Sequence, residues 1–231
     1  MRSYADACGI TRALDVIGER WAVPVARELI FGPRRYSDLA AVLPNVSTNI
    51  LGARLKELTA AGVTSKRRLP SPAAATVYEL TPWGAALEPT LISLGRWAAH
   101  TPTDLEHQSF SASSFALSLK TTFDPRAAVG ANLQLRVMMG ADIFDARIAE
   151  SDFTIRRADP TGVDGHLADR DNDELVCVQA DPKTLAALVY QRLDPVDDIP
   201  SGEVRIEGSP ELWASFVQCF ALPEPPMEGS L

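Results

Sequence analysis

Residues 47–62 read Ser-Thr-Asn-Ile-Leu-Gly-Ala-Arg-Leu-Lys-Glu-Leu-Thr-Ala-Ala-Gly. Ser47 is a preferred N-cap, because its hydroxyl can accept an amide proton that the first helical turn leaves unpaired. Gly62 is a usual stop, because glycine enters the left-handed conformation at little steric cost. Between them Leu51, Leu55 and Leu58 recur at i, i+4 and i+7, which predicts one apolar stripe. At about 100° per residue, Asn49, Gly52, Ala53 and Lys56 fall on the opposite side. That side carries small and polar groups and can enter a groove closely. Arg54 falls beside the stripe, on a flank.

Shorter helices are predicted upstream. Thr11 to Glu19 carries Ala13, Leu14 and Ile17 at helical spacing. Trp21 to Phe31 follows, with Pro24 in its first turn, where a missing N–H is tolerated. Gly32-Pro33 stops that helix. Ser37 to Val42 reads as a third, with Ser37 as its cap and Leu39 and Leu43 inward. Downstream, Val63 to Leu69 and Thr76 to Leu80 form a hairpin with its turn at Pro70-Ser71-Pro72. Lys66, Arg67 and Arg68 place three successive cations on its first strand. Thr81-Pro82 then caps a long helix reaching about His100, kinked at Pro89. Trp83, Leu87, Leu91, Leu94 and Trp97 keep a helical period along it. They exceed what a small core needs and point to a partner surface.

Helix, short helix, capped helix, basic hairpin, long helix is the order of a winged helix-turn-helix. The capped helix would offer Thr48 and Asn49 to base edges in a major groove. An Asn amide suits adenine, because it can bridge two groups on that edge. Arg34 and Arg35 stand before the short helix, where a phosphate should pass. Lys66, Arg67 and Arg68 can reach the flanking backbone or minor groove. Any one of these cations alone reads as a solvated surface charge. Their joint placement in this order favours DNA.

The segments Leu-Asp-Val-Ile-Gly-Glu-Arg-Trp (14–21), Gly-Pro-Arg-Arg-Tyr-Ser-Asp-Leu (32–39), Ser-Thr-Asn-Ile-Leu (47–51), Arg-Leu-Lys-Glu-Leu (54–58) and Val-Tyr-Glu-Leu-Thr (77–81) resemble HxlR-type regulators, a bacterial winged-helix family related to MarR. The resemblance spans about residues 8–100. It implies a homodimer on a pseudo-palindromic operator, paired through the first segment and the helix near 82–100. It carries DNA contact to Arg34, Arg35, Ser47, Thr48, Asn49, Arg54 and the wing cations. Some relatives sense oxidants or electrophiles through a cysteine near the place of Cys8. A lone cysteine is more often a small hydrophobe, and Arg12 is the only obvious activator nearby.

The remainder reads as an α+β domain with an antiparallel sheet and packed helices. Leu133 to Met139, Phe144 to Ile148 and Phe153 to Ile155 alternate as an antiparallel meander. Asp159 to Glu174 is a polar, acidic loop, and Leu175 to Val178 a buried strand. Asp181-Pro182 caps a helix through Leu185, Leu188 and Val189. Val204 to Ile206 is a further strand, and Ser209-Pro210 caps a closing helix with Trp213, Phe216 and Phe220. The expected division is a DNA-binding and dimerisation domain at 1–101, a linker at 102–114, the α+β domain at 115–222 and a frayed tail at 223–231. This second domain resembles a sterol-carrier-protein-like domain through Asp-Pro-x-x-Leu (181–185), Ser-Gly-Glu-Val-Arg-Ile-Glu-Gly (201–208) and the closing helix. That resemblance implies an apolar cavity, with Leu188, Val189, Trp213, Phe216 and Phe220 as candidate walls for an apolar effector. As single residues they read equally as ordinary core.

Charge divides the 231-residue chain. Residues 1–100 carry 12 Lys and Arg against 8 Asp and Glu, and residues 101–231 carry 10 against 22. A basic part recovers counterion-release energy on phosphates, while an acidic part is repelled. Three scattered cysteines, Cys8, Cys177 and Cys219, form no disulfide framework and fit a reducing compartment. No apolar run approaches a membrane span, and the N-terminus lacks a signal-peptide pattern, so a cytoplasmic location is expected. His100, His107 and His166 have no metal-ligand spacing, and Asp169, Asp171, Asp173 and Glu174 misplace the Gly and Glu of a calcium loop. No P-loop, G-x-S-x-G or Rossmann fingerprint is present. The expectation is therefore a regulator without enzymatic activity, metal or cofactor. Two alternatives remain: a redox switch acting through Cys8, or a lipid-binding module whose winged helix mediates protein contacts.

Overall fold

Two units, Met1–Leu91 and Ile92–Leu231, divide the chain in the computed structural model. It describes residues 3–70, 74–101, 104, 107–158, 175–195 and 197–223. Ser71 and Pro72 of the expected turn, Pro102 of the expected linker, the acidic stretch 159–174 with His166, and the tail 224–231 lie outside the described residues.

The first unit runs α1 (Gly9–Ile17), α2 (Ala22–Leu29), β1 (Arg34–Arg35), α3 (Tyr36–Val42), α4 (Thr48–Ala60), β2 (Thr64–Arg68), β3 (Thr76–Leu80) and α5 (Pro82–Ala85), then enters α6 (Glu88–Ala98). The capped stretch behaves as its residues require. Ser47 Oγ accepts from the Ile50 amide at 3.3 Å, and Gly62 closes the helix at φ +79°. Leu51, Leu55 and Leu58 are buried and pack with Val25, Leu29 and Leu39 into one core. Each such burial stabilises by roughly 1.5–3 kcal/mol relative to exposure.

Two local expectations are corrected. The cap of α3 is Arg35, not Ser37, because its backbone amide donates to Asp38 Oδ2 at 3.1 Å and Asp38 lies in the first turn. The helix expected over 82–100 is broken into α5 and α6. Pro89 has no N–H to offer the Ala85 carbonyl, so the α5 ladder cannot continue through it. It stands instead in the first turn of α6, where that loss is harmless. Gly84 lets α5 lie against the backbone just before β2, since a Cβ there would run into the Val63 carbonyl oxygen.

The second unit continues α6 and adds α7 (Ala112–Thr122), β4 (Leu133–Met139), β5 (Asp142–Ala149), β6 (Asp152–Arg157), β7 (Leu175–Gln179), α8 (Pro182–Tyr190), β8 (Arg205–Glu207) and α9 (Pro210–Gln218). The meander is present: β4, β5 and β6 pair antiparallel. The sheet expected to be antiparallel is mixed: its order is β6-β5-β4-β7-β8, with β7 parallel to β4 and β8 antiparallel to β7, because β7 joins the sheet beside β4 rather than by a hairpin from β6. Asp181 and Ser209 cap α8 and α9 as expected.

Helix α7 was not expected; its first residues fall in the polar stretch read as a linker through Ser114. Ser111 Oγ accepts from the Ser114 amide at 3.0 Å and starts the helix. Ala112, Phe115, Ala116 and Leu119 recur at helical spacing and are buried, a signal that the polar composition of the stretch masked; Ser113, Ser114, Thr121 and Thr122 are buried with them. Burial is possible because the hydroxyls find partners. Thr121 and Thr122 donate to the carbonyls of Leu117 and Ser118, each at 2.9 Å. The Tyr190 hydroxyl meets Ser118 Oγ at 2.7 Å and Thr122 Oγ1 at 3.2 Å. Burial pushes the Tyr190 pKa up to about 12, so this phenol stays neutral.

Leu188, Val189, Trp213, Phe216 and Phe220 are all buried. Their rings lie on one another: Phe216 to Phe220 at 4.7 Å between centroids, Trp213 to Phe216 at 6.0 Å, and Phe153 to Phe220 at 5.1 Å edge-on. Among the described residues, no helix is long and apolar enough to cross a membrane. No group of three His, Cys, Asp or Glu is placed to hold a metal ion among them either.

Candidate nucleic-acid interface

Apart from the buried Leu51, the first turn of α4 is exposed. Ser47, Thr48 and Asn49 are exposed, as are Ala53 and Lys56 further along. The Ser47 hydroxyl is engaged as the cap. Asn49 is the second residue of the helix, and its amide is bound to no other described residue. Ile50 is also exposed at 44%. Sequence reasoning passed over it, although its angular position outside the Leu51–Leu55–Leu58 stripe was the available signal. An aliphatic group there can meet a thymine methyl.

The two basic segments lie on either side of β3, and the first of them forms a strand that no sequence pattern announced. β1 is two residues long and pairs with β3, Arg34 opposite Tyr78 and Arg35 opposite Val77. On the other side of β3, Lys66 lies opposite Tyr78 and Arg67 opposite Val77. The order β1-β3-β2 therefore sets Arg34 and Lys66 on either side of Tyr78. With neighbouring strands about 4.8 Å apart, the two backbones are roughly 10 Å apart. Lys66 Nζ sits 5.7 Å from the Tyr78 ring centroid.

Not every expected cation is equally available. Arg67 forms a two-pronged pair with Glu79, at 3.0 Å from Nε and 2.9 Å from Nη2. These bonds hold the Glu79 carboxyl below the usual carboxylate range and raise the Arg67 pKa. Lys66 and Arg68 are exposed, as is Arg35; Arg34 is half-buried. Arg54, expected at DNA, is largely covered and ion-paired with Glu57 and, at 3.8 Å, with Glu19. It holds α4 to the segment after α1.

A second surface of this unit is apolar. Helix α1 has no buried residue, and Ile10 and Leu14 are 73% and 42% exposed. Beside it lies a groove of about 430 Å³ lined by Gly9, Arg12, Ala13, Val16, Ile17, Val63, Trp83 and Leu87. Of the five residues expected at a partner surface, Leu91 is buried and Leu87 half-buried. Trp83 is exposed at 58%; Leu94 and Trp97, which belong to the second unit, are exposed at 49% and 75%.

The HxlR-like helix-turn-helix family profile matches residues 16–105. The uncharacterized HTH-type transcriptional regulator YvaP of Bacillus subtilis is 37% identical over 87 residues, 38% of this chain and 81% of YvaP. YkvN of the same organism, also an uncharacterized HTH-type transcriptional regulator, is 32% identical over 94 residues, 41% of this chain and 80% of YkvN. The solved structure of the reduced B. subtilis transcriptional regulator YodB is similar at 28% identity and a TM-score of 0.38, covering 43% of this chain and 100% of YodB. With that share of YvaP matched at that identity, and with the helices and wing in the order described, the chain belongs to the HxlR-like helix-turn-helix family.

Proposed function

We propose that the protein is a sequence-specific, homodimeric DNA-binding regulator of transcription. The observation that carries this reading is the exposed first turn of α4 with a basic segment on each side of β3. Asn49, Thr48 and Ile50 read base edges in a major groove. Arg34, Arg35, Lys66 and Arg68 hold phosphates, and Lys56 lies along the same helix face. Arg67 contributes less, because Glu79 already neutralises it. Two such units on a pseudo-palindromic site place their recognition helices about 34 Å apart. The apolar surface of α1 and Trp83 supports pairing of two copies.

A mobility shift with DNA from the region upstream of the protein's own gene tests the reading. Binding should weaken steeply with salt. Arg68→Ala should flatten the slope of log K against log salt by about 1, and Arg67→Ala by less. An unchanged slope in Arg68→Ala would remove the wing from the DNA. Binding by neither specific nor random duplex would favour a protein-interaction role for the winged helix.

We assign effector sensing to the acidic second unit, whose sheet and helices are compatible with a sterol-carrier-like domain. The mutual packing of Trp213, Phe216 and Phe220 favours a core role for these rings over a ligand wall. Mass spectrometry of the purified chain for a co-purified apolar molecule tests the assignment.

A second reading rests on Cys8. It is exposed and precedes the first residue of α1. The amides of Ile10 and Thr11 lower its pKa, whereas burial raises those of Cys177 and Cys219. Thiolate character directs oxidation to Cys8. Oxidant should release DNA from the native protein and leave Cys8→Ser bound. Equal sensitivity of both would end the redox reading.

A further inference from the structure

Tyr36 is the first residue of α3, yet its hydroxyl donates to the backbone carbonyl of Thr48, the first residue of α4, at 2.6 Å. That is a short, well-formed O–H···O bond. The ring is half-buried and packs on the core that Leu39, Leu51 and Leu55 share. A phenol anchored at its apolar body and bonded at its tip acts as a strut of fixed length. Its two ends matter. The Thr48 carbonyl lies in the turn that presents Asn49. Tyr36 itself directly follows Arg34 and Arg35, which β3 holds in register. One side chain thus ties the basic strand to the backbone of the recognition turn.

We propose that Tyr36 is a positioning residue for base reading: its bond to the Thr48 carbonyl holds the first turn of α4 in register with the phosphate-facing Arg35. This rests on the DNA-binding role proposed above. Base-edge bonds tolerate misplacement of only about 0.5 Å. Contacts from long cationic side chains to phosphate follow the duplex without reading it. Loosening the turn therefore weakens discrimination between sequences more than it weakens attachment to DNA.

Tyr36→Phe isolates the effect, since it keeps the ring and its packing and removes only the hydroxyl. The full-length chain and this variant are compared by fluorescence anisotropy on two duplexes. One is enriched from a random pool by the native protein, and the other is a scrambled sequence of equal length. Affinity for the enriched duplex should fall about three- to tenfold, as expected for one lost hydrogen bond. Affinity for the scrambled duplex should stay within about twofold, since phosphate contacts are kept. In an Asn49→Ala background the same change should have little further effect on the ratio, because both act on one contact. An equal fall on both duplexes would overturn the assignment, as would an unchanged ratio. If the native protein enriches no sequence from the pool, the DNA-reading role itself fails and the assignment with it.

Discussion

Leu14→Asp should convert the protein from a two-chain to a one-chain species in sedimentation velocity at micromolar concentration. Affinity for a duplex carrying two half-sites should fall by on the order of 10²–10⁴-fold, the advantage of joining two binding units. Leu14 lies on α1, a helix without one buried residue, one turn from Ile10 on the same side, and Ala13 before it helps to line the groove that Trp83 and Leu87 share. Because Leu14 is already exposed within one chain, an aspartate there leaves the fold of that chain intact; exposed positions away from special features tolerate such changes within about 0.5 kcal/mol. Between two chains the same carboxylate would lose its water without gaining a partner, a cost of several kcal/mol per ion. Affinity for a single half-site should therefore be nearly unchanged. A variant that remains a two-chain species would move the pairing surface away from α1. The exposed Leu94 and Trp97 would then be the next positions to charge.

Asn49→Ala is expected to cost about 1–3 kcal/mol at the specific site, roughly 5- to 150-fold in affinity, and to relax preference at one base pair of each half-site. The side chain is exposed on the first turn of α4, and its amide is free of other described residues. An amide in that state can donate and accept together on an adenine edge. Alanine suits that helical position, so folding should not suffer. Binding to random DNA should be almost unaffected, because Asn49 carries no charge for counterion release. Equal losses on specific and random duplexes would reassign Asn49 to the sugar-phosphate backbone.

Local chemistry made much of the first unit legible. Ser47, Gly62 and the three leucines between them specify a capped amphipathic helix, since caps and stripes depend on residues a few positions apart. The hairpin cations and the alternating strands of the second unit follow from the same short-range rules. By themselves these residues determined a winged helix-turn-helix with a basic wing, followed by an α+β unit.

The rest needed contacts between residues far apart in the chain. Arg54 and Arg67 look like free cations in sequence, yet Glu19, Glu57 and Glu79 meet them only in the folded chain. β1 is two residues long and exists as a strand only because β3 supplies its hydrogen bonds. Helix α7 has its own apolar period in Ala112, Phe115, Ala116 and Leu119, but only the folded chain shows that its serines and threonines are buried as well, satisfied by carbonyls and the Tyr190 hydroxyl. Sequence periodicity reports where apolar groups recur. Which polar groups are neutralised, buried or left free to meet a ligand is decided by tertiary neighbours, because the strength of a charge or hydrogen bond depends on what surrounds it.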